Sequence, residues 1–294
     1  MKKSTLLPLS ALVSLSALIP ANAQTDAANN NDKNDKAEVV LLADIDWEQL
    51  NPARGDQSPQ AGTLWGDRKA DVATGYLGVF TDGFSSPPHI HNVSYRALVI
   101  SGLMHNDDPS AEKMWMPAGS FWTQPQGEAH ITAAKGDKNI AYIEIDSGPY
   151  LVEPTEQAFD NGERPINVHS SNIVWLSASD SSWIESNDPA EDGKSPQITH
   201  LWGKPVDGQL NGSMIKLPAG YSGKISGTND RYRAIIISGN PSYSAETNAD
   251  GIQLEPGCYF SSNKSGSSSF ISSKDECIIY IRAIGRYQLS PNKE

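Results

Sequence analysis

The sequence has little cysteine, little basic charge and few long apolar runs. Its two cysteines, Cys258 and Cys277, are too few for a small disulfide-stapled scaffold. Both fall in expected strands of the second half, where a disulfide and a pair of buried free thiols are each open. Lysine and arginine number 23 against 35 aspartates and glutamates, a formal charge of −12. No basic stripe stands out, so neither nucleic acid nor an anionic membrane is expected as a partner. The charge serves solubility. Beyond residue 19 no apolar stretch is long enough to span a bilayer. Sustained helical periodicity is absent as well. Short apolar runs, such as Val99-Ile100, Ile140–Ile145, Ile235–Ile237 and Ile278–Ile281, are bounded by Gly, Pro, Asn and Asp. That pattern predicts an all-β barrel or sandwich.

What is present begins at the N-terminus. Lys2 and Lys3 precede an apolar core from Leu6 to Ile19, and Ala21-Asn22-Ala23 is an A-x-A cleavage site. Residues 1–23 therefore read as a cleavable secretory signal peptide, cut after Ala23, and the mature protein is expected in a periplasm or outside the cell with no membrane insertion. Residues 24–38, rich in Asn, Asp, Lys and Ala, cannot bury enough apolar surface to order themselves and read as a flexible leader. About 255 residues follow, room for two domains.

The chain repeats itself. Ser58-Pro59-Gln60 with Leu64-Trp65-Gly66 recurs as Ser195-Pro196-Gln197 with Leu201-Trp202-Gly203. Tyr95-Arg96-Ala97 leading to Ile100-Ser101-Gly102 recurs as Tyr232-Arg233-Ala234 leading to Ile237-Ser238-Gly239. Ser195 minus Ser58 and Tyr232 minus Tyr95 both give 137; Tyr142-Ile143 and Tyr280-Ile281 close the copies at an offset of 138.

Half of the six histidines fall in one split pattern: Gly83-Phe-Ser-Ser-Pro-Pro-His89-Ile-His91, then Gly119-Ser-Phe-Trp-Thr-Gln-Pro125-Gln-Gly127-Glu-Ala-His130. Alternate side chains leave a strand on the same face, so His89 and His91 point the same way. Pro87 and Pro88 keep that run out of a helix, and the Pro-x-Gly turn before His130 reverses one strand into the next. Three neutral imidazoles with open positions suit a working first-row metal better than a closed structural site. In the second copy His89 and His91 align with Ser226 and Thr228, and His130 with Ser268. The three histidines are thus absent together, as a set that acts as a unit.

These spacings resemble the two motifs of the cupin superfamily. Gly83, His89, His91 and Gly102 match the first; Gly119, Pro125, Gly127 and His130 match the second. Two positions depart: Tyr95 stands where the family has its glutamate ligand, and Ala134 where it has asparagine. The resemblance implies two tandem cupin (jelly-roll) barrels, similar to secreted bacterial bicupins. An N-terminal domain, 39–152, would carry the metal, a linker would span 153–170, and a C-terminal domain, 171–294, would lack the ligands. It further implies one divalent ion, Fe(II), Mn(II), Ni(II) or Zn(II), on His89, His91 and His130, as in three-histidine dioxygenases. Cupins often pair through their sheets, so a homodimer is expected.

The expected function is a secreted metal-dependent enzyme of the dioxygenase type acting on a small chelating organic molecule. The alternative is a non-catalytic cupin that binds or senses a metal or a small ligand, held in the second barrel by Ser226, Thr228 and Ser268. Glu128 and Tyr95 are the weak catalytic candidates, Glu128 as a base or support for His130. Tyr232 at the matching place of the metal-less copy favours a packing role for Tyr95. Arg96 and Arg233 are expected in salt bridges or strand support, one face of the strand that carries Trp122 and Gln124 is expected to line the cavity, and His105, His169 and His200 are expected outside the site.

Overall fold

Apolar residues at consecutive rather than alternate positions, as in Ile140–Ile145, mean strands buried on both faces. In the computed structural model, which describes residues 37–185, 195–227, 231–245, 250–262 and 268–292, this is what they form. The expected signal peptide, most of the leader and Thr228 lie outside the described residues. The strands of the first half are β1 (Val39–Val40), β2 (Trp47–Gln49), β3 (Gln60–Trp65), β4 (Thr74–Phe80), β5 (Ile90–His91), β6 (Tyr95–Asp107), β7 (Phe121–Gln124), β8 (Ile131–Ile145), β9 (Val152–Glu153) and β10 (Ile166–Val168). Those of the second are β11 (Gln197–Gly203), β12 (Leu210–Leu217), β13 (Ser222–Gly227), β14 (Arg233–Ser238), β15 (Ser242–Ser244), β16 (Ile252–Gln253), β17 (Tyr259–Ser261), β18 (Ser268–Ser272), β19 (Cys277–Ile284) and β20 (Tyr287–Pro291). The fold is all-β and antiparallel, of the jelly-roll kind.

The repeat in the sequence is a repeat in the pairing. One sheet runs β10-β7-β6-β8-β4-β3-β2, another β1-β17-β14-β19-β12-β11. Shifting the first by the sequence offset converts β7-β6-β8-β4-β3 into β17-β14-β19-β12-β11. The edges are exchanged. β1, which precedes the first copy, pairs with β17 of the second. β10, from the segment expected as a linker, pairs with β7 of the first.

Alternation along the central strands sorts side chains into separate cores. On β6 and β8, Ala97, Val99, Ala141 and Ile143 face the interior of the first half with Tyr76, Trp122 and Met104. Their neighbours Leu98, Ile100, Ile140 and Tyr142 face the other way and meet Met214, Ile235, Ile237, Tyr259 and Tyr280 of the second half. The second half encloses its own core around Tyr232, Phe260, Ile236 and Ile279. Cys258 and Cys277 are both free and buried there.

The recurring motifs build the contact between the halves. Trp65 donates its indole N–H to Tyr142 Oη at 3.2 Å, and Trp202 donates to Tyr280 at 2.9 Å. Gly75 and Gly212 sit beneath these pairs; a Cβ at either would lie 2.6 Å from the tyrosine hydroxyl and run into the indole. Each copy's arginine then stacks on the other copy's tryptophan. Arg96 lies 3.8 Å from the Trp202 ring centre and Arg233 lies 4.3 Å from that of Trp65. Arg96 also forms a bidentate pair with Asp146 at 3.0 and 2.8 Å, the salt bridge expected of it.

Candidate metal centre

β5 begins one residue after His89, and β8 begins one residue after His130. Between them His89 and His130 exchange both main-chain hydrogen bonds, at 3.1 and 3.0 Å, across an antiparallel bridge. Residues paired in this way send their side chains to one face, and His91, two residues on, follows. The ring centres lie 4.9 Å (His89–His91), 4.3 Å (His89–His130) and 5.2 Å (His91–His130) apart. One ring nitrogen from each lies within 4.8 Å of the others. Thus the structure brings together all three residues that the sequence pattern selects.

The backbone fixes which nitrogen each ring presents. His89 Nδ1 lies 2.9 Å from Pro87 O, His91 Nδ1 lies 2.8 Å from Leu151 O and His130 Nδ1 lies 3.2 Å from Glu128 O. A carbonyl only accepts, so each Nδ1 carries the proton and each Nε2 keeps its lone pair. Burial lowers the pKa of all three, that of His91 well below the usual range and that of His130 to about 3, with the neighbouring imidazoles adding to the burial effect for both. The set is neutral at physiological pH and its donors face one another. His130 Nε2 is buried with no hydrogen-bond partner among the described residues. A buried lone pair left unpaired costs free energy unless something fills it. The three imidazoles therefore fit a divalent first-row ion.

His89 and His91 open on a cavity of about 270 Å³, walled by Phe80, Phe84, Trp122 and Ile143 and reached by Tyr76, Tyr95, Tyr150 and Thr132. Gly78 lines this space, and the small residues Ala61 and Ala141 lie in the core around it. Ala61, Gly78 and Ala141 of the first half align with Ile198, Ile215 and Ile279 of the second, each fully buried. These isoleucines belong to the core of the second half. In place of His89 and His130 it has Ser226 and Ser268, whose hydroxyls bond each other at 2.7 Å.

The two weak candidates separate. Tyr95 is beside the cluster, its ring centre 5.4 Å from that of His91. Its hydroxyl turns away and donates to Asn106 Oδ1 at 2.8 Å, and burial pushes its pKa up to about 12 despite hydrogen bonds that pull it down. Asn106 in turn donates to Gln124 Oε1 at 2.9 Å, and Gln124 donates to Glu128 O at 3.1 Å. Gln124 thus braces the carbonyl that holds His130, while Trp122 lines the cavity. Glu128 supports His130 through that carbonyl alone. Its carboxylate lines a different concavity, of about 350 Å³, with Asp160 and Arg164. His105 is buried on β6, His169 accepts from Ser171 N–H at 3.1 Å, and His200 packs 5.0 Å from Trp183. None of these three joins the cluster.

Two residues that the sequence did not single out complete the site. Tyr150 donates its hydroxyl to His91 Nε2 at 3.0 Å, and its ring lies over that imidazole at 4.4 Å. Burial holds its pKa well above the usual range, so it is a neutral phenol. Asn92 clamps the segment that carries it, donating to Pro149 O at 2.9 Å and accepting from Leu151 N–H at 2.8 Å. No motif marks either; each is placed by β9 pairing with β5.

The fold is an antiparallel jelly roll, and at one place in it three imidazoles are grouped so that they could hold a metal ion. Residues 38–290 match the family described as a domain of unknown function, DUF4437, and the chain belongs to that family. No curated protein matches its sequence. Solved structures share the fold at low identity. A candidate dioxygenase from Nostoc punctiforme is 11% identical over 88% of this chain and 87% of that one, with a TM-score of 0.62. YlbA from E. coli is 14% identical over 85% and 91%, with a TM-score of 0.56. The Lactobacillus farciminis oxalate decarboxylase, solved with formate, is 8% identical over 85% and 87%, with a TM-score of 0.53.

Proposed function

We propose that this protein is an exported metal-dependent cupin enzyme, of the dioxygenase type or related to it, acting on a small chelating organic anion. His89, His91 and His130 would hold the ion in the half spanning 39–152. The half spanning 171–294 would support it without a metal of its own. Export rests on Lys2-Lys3, the apolar run to Ile19 and the Ala21-Asn22-Ala23 site. Among the described residues no helix is long and apolar enough to cross a membrane.

The observation that carries the reading is the common orientation of the imidazoles, each Nδ1–H tied to a carbonyl and the His130 Nε2 buried and unpartnered. An ion on three neutral ligands keeps its full charge and supplies Lewis acidity, and electrons as well if it is redox-active. The residues around it have separate tasks. Trp122, Phe84 and Ile143 exclude water from the reacting end of the cavity. The Tyr150 hydroxyl, which bonds His91 Nε2, would be displaced from that nitrogen by an ion there and left to donate a hydrogen bond to a bound anion. Tyr95 and Asn106, locked together, keep the floor rigid.

The test is elemental analysis of the mature protein purified without a His tag, beside His89→Ala, His91→Ala and His130→Ala. About one first-row ion per chain, lost in all three variants, is the expected result. An absence of metal after reconstitution would make the histidines structural. Oxygen uptake across a panel of chelating acids and diketones then separates oxygenase chemistry from lyase or isomerase chemistry.

A further inference from the structure

The cavity beside the three histidines has a charge pattern that the chain as a whole does not share. The protein is acidic, at −12, yet among the described residues no carboxylate lines this space. Arg54 supplies the one permanent side-chain charge among its lining residues. Arg54 is presented on a short 3-10 segment, Pro52–Gln57, that is braced at both ends. Asn51 Oδ1 accepts from Ala53 N–H at 3.2 Å, and Ser58 Oγ accepts from Asn51 N–H at 2.9 Å. The turn between passes through Gly55 at φ 54°. The Arg54 guanidinium lies 5.0 Å from the centre of the Phe84 ring, itself a wall of the cavity. Arg68, Arg96, Arg164 and Arg282 each hold a carboxylate. Among the described residues Arg54 holds none, and a cation held over an aromatic wall keeps its hydrogen-bonding fork open.

We propose that Arg54 is the anchor for a substrate carboxylate, and that the cavity takes a small monocarboxylate with an apolar or aromatic body. The body packs on Phe80, Phe84, Trp122 and Ile143, while the imidazoles and the Tyr150 hydroxyl meet the remainder of the molecule. The assignment deepens the reading of this cavity as the substrate site. It does not require the carboxylate to bind the metal, because the guanidinium satisfies that charge at the rim. Arg54 would set which acids enter, which makes it a specificity-determining residue rather than a catalytic one.

The test uses the full mature protein, as purified and after chelator treatment. Benzoate and hexanoate are the probes, with benzamide as the uncharged counterpart of benzoate, and binding is read by calorimetry and by Trp122-dependent fluorescence. The expected result is benzoate binding in both metal states, preferred over benzamide. Arg54→Gln weakens it by at least about tenfold, because a charge-assisted hydrogen bond is lost; Arg54→Lys recovers part of the loss, and benzamide affinity does not change. Raised salt weakens benzoate and leaves benzamide alone. Circular dichroism confirms that both variants are folded. Three results overturn the proposal: equal benzoate affinity in wild type and Arg54→Gln, benzamide binding as tightly as benzoate, or no binding of either acid. Benzoate binding that needs the metal and ignores Arg54 would assign the carboxylate to the ion instead. Absence of metal with Arg54-dependent binding intact would sink the metal reading and leave this one standing.

Discussion

Glu144 and Arg282 stand at equivalent places in the two copies, 138 residues apart, and bind each other across the contact between them at 3.3 Å. Both are buried. Glu144 also accepts from the tyrosines of both copies, Tyr142 at 3.0 Å and Tyr280 at 2.8 Å. In a symmetric dimer of one half-chain, the residue at this place would face its own copy, acid against acid or base against base. Only a chain in which the copies have diverged can put opposite charges there.

Removing Glu144 takes one carboxylate from the buried Arg282 and leaves Asp146, 2.8 Å away, beside it. Truncating one partner of a buried pair costs about 3–5 kcal/mol, and the remaining contact puts Glu144→Ala near the lower end. Urea denaturation of wild type, Glu144→Ala and Glu144→Gln measures this; a loss under about 1 kcal/mol would mean the pair is not integral to the contact.

Gly75→Ala and Gly212→Ala should each destabilise by about 1–3 kcal/mol through overpacking. The added methyl meets an indole and a tyrosine hydroxyl from the same pair in both copies. Thermal melts of the two single variants and the double variant read the effect. The two tyrosines share Glu144 as acceptor and their rings lie 5.7 Å apart, so the double variant should depart from additivity by about 0.5 kcal/mol or more.

Asn92→Ala should lower metal affinity by about 10–100-fold while leaving every imidazole in place. Asn92 holds the segment whose Leu151 carbonyl orients His91. A competitive chelator titration measures the change. Unaltered affinity would show that the pairing of β5 with β9 positions His91 unaided.

Metal-free protein should lose stability as pH falls below the ordinary histidine range. His130 has a folded pKa of about 3 against an ordinary 6.5, because burial and His89 disfavour its charged form. Between those values the unfolded chain binds a proton that the folded chain does not, so stability is full above 6.5 and declines as pH drops toward 3. Asp146 reinforces the trend at lower pH: Arg282 and Arg96 outweigh the effect of burial and hold its carboxyl below the usual range. Urea midpoints of chelator-treated wild type and His130→Gln between pH 8 and pH 4.5 isolate the histidine contribution. The variant should show the shallower decline.

Much of the site was legible because its geometry is local. His89 and His91 share a face by strand periodicity, and the Pro125-x-Gly127 turn returns His130 opposite His89. The repeat was legible for a similar reason, since Trp65, Arg96 and their counterparts recur at one offset. What escaped is set by partners distant in sequence. Tyr150 reaches His91 only because β9 returns to β5, 59 positions along the chain. Arg54 lies in a turn with no recognisable pattern. The Glu128 carboxylate points away from the cavity, although its neighbour two residues on points in. Strand β10 lies in a polar stretch that reads as a linker until the exposed edge of β7 is known.

The exchange of β1 and β10 makes the two copies interdependent in a way that their similarity conceals. A fragment ending at residue 152 would carry the three histidines but leave the β7 edge bare, and unpaired edges recruit other chains. A fragment beginning at 171 would leave β17 uncovered in the same way. The copy without the three histidines is thus more than an inert relic. The segment leading into it finishes the sheet around the histidines, so a cut made for convenience between the copies would remove a structural strand from one and strand a structural edge in the other.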